Sequence, residues 1–163
     1  KGSDLSVGVR GPVSIQTAVS VLPIDITTMQ ITKSVNSVTG DKKGSDTMGS
    51  KHFVDFGIYV FNGSINTQLA EKTGFSEEDA LKIKEALRTL FENDASSARP
   101  DGSMEVLKVF WWKHPSKLGK YSSAKVHKAV KVQAKVERPK SADDFSIIVS
   151  PLDGIELETI DGQ

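Results

Sequence analysis

The run from Pro23 to Val35, "PIDITTMQITKSV", sets Ile24, Ile26, Thr28 and Gln30 against Asp25, Thr27, Met29 and Ile31. Its Ile and Thr content and period of two predict a β-strand. From Phe53 to Asn66, "FVDFGIYVFNGSIN" alternates again, with Val54, Phe56, Ile58 and Val60 opposite Tyr59 and Phe61. This predicts a second strand in which Gly57 marks a bulge or a close backbone approach. The connection, "NSVTGDKKGSDTMGSKH", contains Gly40, Gly44 and Gly49 and no apolar period. A connection of this length in a compact domain is usually a functional loop. Met48 lies within it among glycine, serine and charge, and composition alone favours a loop tip folded back onto its own core.

A helix is predicted over 76–93, "SEEDALKIKEALRTLFEN". Ser76 suits the N-cap, Glu77, Glu78 and Asp79 suit the positive end of the dipole, and Phe75 can staple onto Ala80. Ala80, Ile83, Leu87, Leu90 and Phe91 make one apolar stripe that must lie on a sheet. A third strand, "EVLKVFWWKH", is apolar on both faces and is expected inside the sheet. Strand, loop, strand, helix, strand is half of a split βαβ unit, so the fold class is α+β with a ferredoxin-like arrangement. Completing that arrangement requires pieces preceding Lys1 or substitutes from the C-terminal segments. Of these, residues 141–163 are expected as strands or tail, with a hairpin turning at Asp153-Gly154. The stretch "KVHKAVKVQAKV" alternates like a strand but could begin as a helix.

With 163 residues, 37% hydrophobic and 26% charged, one domain with its own core is expected. The chain contains no cysteine, which excludes disulfides, a thiol nucleophile and Cys-based zinc sites. No apolar run long enough to span a membrane and no signal-peptide pattern occurs, so a cytoplasmic protein without a membrane partner is expected. His52, His114 and His127 lack metal-ligand spacing, and neither a nucleophile elbow nor a phosphate-loop pattern is present. No metal or other cofactor is called for. The formal net charge is zero, but Lys113 to Lys140 holds nine Lys/Arg and one acid, Glu137, leaving +8 there and −8 elsewhere. That asymmetry suits a polyanion on one face or, equally, a solvated stretch. Lys33, Lys42, Lys43 and Lys51 ring the long loop, Arg10 follows a glycine, and Tyr59, Phe61, Trp111 and Trp112 lie where a base could stack. The octamer of RNA-recognition motifs (RRMs) is absent.

The blocks "GVRGPVSIQTAVSVLPIDITTMQIT", "TMGSKHFVDFGIYVFNGSI", "TGFSEEDALKIKEAL", "ENDASSAR" and "KHPSKLG", in this order and spacing, resemble the repeated backbone subunit of CRISPR type I effector complexes (Cascade), most closely subtype I-C. The resemblance runs from about Gly8 to Val132. It implies an RRM-like, or ferredoxin-like, palm spanning 1–163, incomplete at its N-terminus, with a thumb over residues 33–52. It further implies a non-catalytic scaffold that polymerises along CRISPR RNA in antiviral defence. Its partners would be the CRISPR RNA, target DNA through the guide duplex, further copies of itself and other Cascade subunits. Sequence-independent binding of that kind needs cations and amides along phosphates, and an apolar wedge can displace a base.

On the resemblance, Met48 would be the wedge, with Gly49 turning the chain beneath it and Lys51 facing phosphate. Arg10 and Gln16 would approach the RNA backbone, and Lys33, Lys42 and Lys43 would add charge on the thumb. Ser50 departs from the basic residue expected after the glycine of the "TMG" block, which weakens the phosphate grip there. Two alternatives stand beside this reading. One is an RRM-like RNA-processing endonuclease of the same system, with His52 as acid and Lys51 as electrostatic stabiliser. The other is a small interaction domain without nucleic acid.

Overall fold

The computed structural model describes residues 8–32 and 48–163. The first unit is a long antiparallel ribbon made in three paired stretches. β1 (Val13–Ile15) pairs with β6 (Gly63–Ile65), β2 (Val19–Ser20) with β5 (Tyr59–Val60), and β3 (Ile26–Thr32) with β4 (Met48–Val54). Each interruption holds one residue more on the leading strand than on its partner: three against two after Ile15, and five against four after Ser20. These are β-bulges, which bend a ribbon without unpairing it. Backbone bonds carry the ladder across them, from Gln16 N to Asn62 O and from Val21 N to Ile58 O at 2.8 Å each, and from Asp55 N to Asp25 O at 3.2 Å.

Two expectations change here. The second strand does not start at Phe53 and run unbroken to Asn66: it begins at Met48 and breaks after Val54. Met48 to His52, expected in the loop, are therefore strand residues. The reason is cross-strand: Gly49 sits opposite Ile31, whose side chain lies over the space a Cβ would fill at 3.4 Å. Gly49 is thus a strand position rather than a turn. Gly57 does mark a close approach, since a Cβ there would meet Tyr59 at 3.1 Å and Ile24 at 3.2 Å.

After the ribbon, α1 (Thr67–Thr73) is capped by Asn66, whose side chain accepts from Leu69 N, and ends at Gly74 with φ 72°. α2 (Glu77–Arg88) starts as its sequence predicts. Ser76 and Asp79 exchange side-chain and backbone bonds in a capping box, but the helix ends at Thr89 rather than at residue 93. α2 packs on β7 (Lys108–Lys113), where Lys84 reaches Glu158 at 2.6 Å and lies 5.6 Å from the Trp111 ring, and Lys113 pairs with Glu77 at 2.6 Å. The partner of β7 is β10 (Glu156–Asp161), in register from Lys113–Glu156 to Lys108–Asp161.

α3 (Ser123–His127) leads into β8 (Val130–Ala134), which pairs with β9 (Phe145–Val149) after a 3₁₀ turn at Ala142–Asp144. The ambiguous stretch is therefore helix first and strand afterwards. The hairpin expected over Asp153-Gly154 does not form: the turn is present, with Gly154 at φ 70°, but β9 and β10 pair with different strands. Nor is β7 internal to a sheet, since among the described residues it pairs with β10 alone. The architecture is mixed α+β, with five two-stranded antiparallel sheets among the described residues. Val126, Ala129 and Phe145 form the buried apolar centre there. Phe56, in the second bulge of the ribbon, joins Phe145 with ring centroids 6.2 Å apart.

Candidate nucleic-acid interface

The end of the ribbon at β3 and β4 has two unlike faces, because side chains directly opposite each other in an antiparallel pair project to the same side. One face carries Thr28 with His52, Gln30 with Ser50, and Thr32 with Met48. The other carries Met29 with Lys51, Thr27 with Phe53, and Ile31 over Gly49. Beyond the exposed apolar pair Ile26 and Val54, which shares it, the first is a row of hydrogen-bonding side chains ending in a thioether. Thr28 Oγ1 and His52 Nδ1 lie 2.8 Å apart, and Gln30 Nε2 donates to Met48 Sδ at 3.0 Å. Met48 is nonetheless 66% exposed, so the bond orients it without burying it. The second face is apolar around one half-buried lysine: Met29 is 51% and Ile31 49% exposed beside Lys51.

The residues singled out from sequence thus fall into three groups. Met48 and Lys51 stand on one strand, three positions apart and on opposite faces. Arg10 is exposed just before β1, and Gln16 is exposed in the first bulge. From Gln16 to Met29, the partner of Lys51, is about 40 Å of strand at roughly 3.3 Å per residue. Arg10 and Gln16 therefore belong to the base of the ribbon and not to its Met48 end. Lys33, Lys42 and Lys43 lie outside the described residues, as does most of the expected thumb.

The opposed faces bear on the nuclease alternative. An acid and an electrostatic stabiliser must converge on one reacting phosphate. His52 and Lys51, adjacent on a strand, project to opposite sides. The other histidines make local bonds: His114 Nδ1 accepts from Lys120 N at 3.0 Å, and His127 Nε2 lies 3.3 Å from Gly63 O. Among the described residues no group of three or more His, Asp and Glu side chains is placed to hold a metal ion. No helix among them is long and apolar enough to cross a membrane.

Of the aromatics, Tyr59 and Phe61 are exposed on the ribbon, whereas Trp111 and Trp112 are half-buried on β7. Sequence reasoning missed Thr28 and Gln30 as members of the Met48 face. Their signal was present in the period of two, which sets both opposite Met29 and Ile31, but their cross-strand partners could not be read without the register.

The fold defines a mixed α+β protein built on an extended, solvent-open strand ribbon. The family of CRISPR-associated protein Cas7 matches residues 2–150, and the chain belongs to that family. No individual curated protein matches it.

Proposed function

We propose that the chain is a non-catalytic, guide-RNA-binding backbone subunit of a Cascade complex of the I-C kind, acting in antiviral defence with target DNA paired to its guide. Family membership carries the reading, and the two-faced β3–β4 end supports it. In this reading that end is the root of the thumb over 33–52. Met48 presents an apolar wedge to the guide from one face, while Lys51 supplies a phosphate contact from the other. Lys33, Lys42 and Lys43 add thumb charge, and Arg10 and Gln16 meet the RNA backbone at the base of the ribbon. The RRM-like palm belongs to the same reading: α2 over the β7–β10 pair is the helix-on-antiparallel-strands unit from which such a palm is built.

The test is a binding titration of guide-length RNA over a range of salt, with the RNA run on a gel afterwards. Steep salt dependence with intact RNA is the expected result. Metal-independent cleavage that disappears in His52→Ala would replace the scaffold with the endonuclease.

A further inference from the structure

The basic segment Lys113–Lys140 is not used by the ribbon, and the fold divides its cations into two sets. Lys113 pairs with Glu77 and Lys117 with Glu71, just as Lys82, Lys84 and Lys108 pair with carboxylates elsewhere. Lys120, Lys125, Lys128, Lys131, Lys135, Arg138 and Lys140 are exposed and make no ion pair with a carboxylate among the described residues, and the first three of these flank Tyr121 and α3. Lys120 and Lys125 are also grouped. Lys125 Nζ lies 4.3 Å and Lys120 Nζ 5.9 Å from the centroid of the same Tyr121 ring. The Tyr121 hydroxyl donates to Asp153 O at 3.0 Å, which fixes the ring. Lys120 lies against Gly154, where any side chain would collide with it. Val126 on α3 and Ala129 just after it are buried, while Lys125 and the cap residue Lys128, three apart, are both exposed.

This group has a defined place. His127 on α3 lies 3.3 Å from the carbonyl of Gly63, and Gly63 pairs with Ile15, next to Gln16. The lysines therefore stand at the base of the ribbon, at the opposite end from Met48 and Lys51. Like charges gathered on one ring repel unless a polyanion offsets them, and compact ammonium groups suit phosphates spaced along a strand. In a chain of zero net charge from a CRISPR-associated family, nucleic acid is the polyanion that fits.

We propose that Lys120 and Lys125, gathered on the Tyr121 ring, and Lys128, the cap residue three positions after Lys125, form a phosphodiester-binding surface at the base of the ribbon, separate from the Met48–Lys51 end. It is carried by different side chains from the wedge and stands without it. The shared chemistry is the sugar-phosphate backbone, and its source is either single-stranded RNA or duplex DNA.

The experiment titrates both probes, guide-length RNA and a DNA duplex of equal length, against the chain with Lys120, Lys125 and Lys128 all changed to Gln. On the probe that uses the surface, affinity is expected to fall roughly tenfold near 0.1 M salt. For RNA, the slope of log affinity against log salt should become shallower by about 2, near 0.7 for each lost contact. An unchanged slope on both probes overturns the proposal. So does an equal loss in Lys82→Gln, an exposed lysine already paired with Glu78. Should the triple variant melt early, Lys128→Gln, which touches no ring, is read alone, with an expected slope change of about 0.7 on RNA. Lys51→Gln tests the other end of the ribbon: loss there with none in the lysine group would keep the wedge reading and remove this one.

Discussion

Met48 illustrates how one residue's reading changes once its partner is known. Within "SDTMGSKHF" it looks like an apolar side chain stranded in a polar loop. In the ribbon it is the strand partner of Thr32, oriented by Gln30 and open to solvent. For the proposed wedge, Met48→Ala should change which guide bases a chemical probe reaches in the RNA-bound assembly while leaving overall affinity within about twofold, since a methyl in place of a thioether removes no phosphate contact. An unchanged probing pattern would remove the wedge. Lys51→Ala should do the reverse, weakening binding on every sequence and lowering the salt slope by about 0.7 while the probing pattern is kept. The alternation of Ile, Thr and Met separated the two faces of the first strand, but Met48 and Lys51, expected in a loop, could not be assigned to them without the register. The place of Gly49 was not legible, because its contact is with Ile31 on the other strand.

At the scale of elements, local chemistry was readable and pairing was not. The start of α2 follows from Ser76 and Asp79, and Ser76→Ala should cost about 1 kcal/mol of stability in a denaturant melt. The Asp79 carboxyl is held below the usual carboxylate range, first by the Ser76 backbone N–H and then by the Ser76 hydroxyl. Lys113 lowers Glu77 through a direct hydrogen bond and then through its charge, and Glu77 raises Lys113 in return. The depressed carboxylates stabilise the fold above their unfolded values, and the gain is lost as pH falls through the folded ones. The melting temperature should therefore drop below about pH 4. Asp79→Asn should lower it at neutral pH and flatten that acid limb, and a limb of unchanged steepness would contradict the assignment. The raised Lys113 acts on the other side: its contribution is complete below the ordinary lysine value and fades above about pH 10.

Within the ribbon, Gly63 is pressed by Ile15, since a Cβ there would lie 2.8 Å from Ile15 Cδ1 and 3.0 Å from Ser14 O. Gly63→Val should cost about 1–3 kcal/mol, read from the same melts. The turn at Gly154 was visible in sequence, yet its flanking strands chose β7 and β8 as partners. That choice is made by tertiary packing, which a period of two does not encode.

For the whole molecule the telling quantity is surface. Among the described residues the buried apolar core is small, Val126, Ala129 and Phe145. Two-stranded pairing among the described residues leaves many backbone edges open, and Ile26, Met29, Ile31 and Phe53 are exposed on the ribbon. In the proposed function, RNA and neighbouring copies would cover such a surface. The amphipathic helix and the strand alternations were legible because each burial is local. The open surface was not, because composition reports how many apolar residues there are and not whether they find each other. It follows that binding should stabilise the chain: guide RNA at about a hundred times its dissociation constant should add roughly 2.7 kcal/mol, seen as a rise in melting temperature.

In the proposed function, copies of this chain line up along guide RNA without cutting it. Mass measurement of complexes formed on RNAs of increasing length tests this most directly. The number of protein copies should climb in whole steps as the RNA lengthens, with the RNA recovered intact. A fixed single copy at every length, or RNA recovered in pieces, would contradict it.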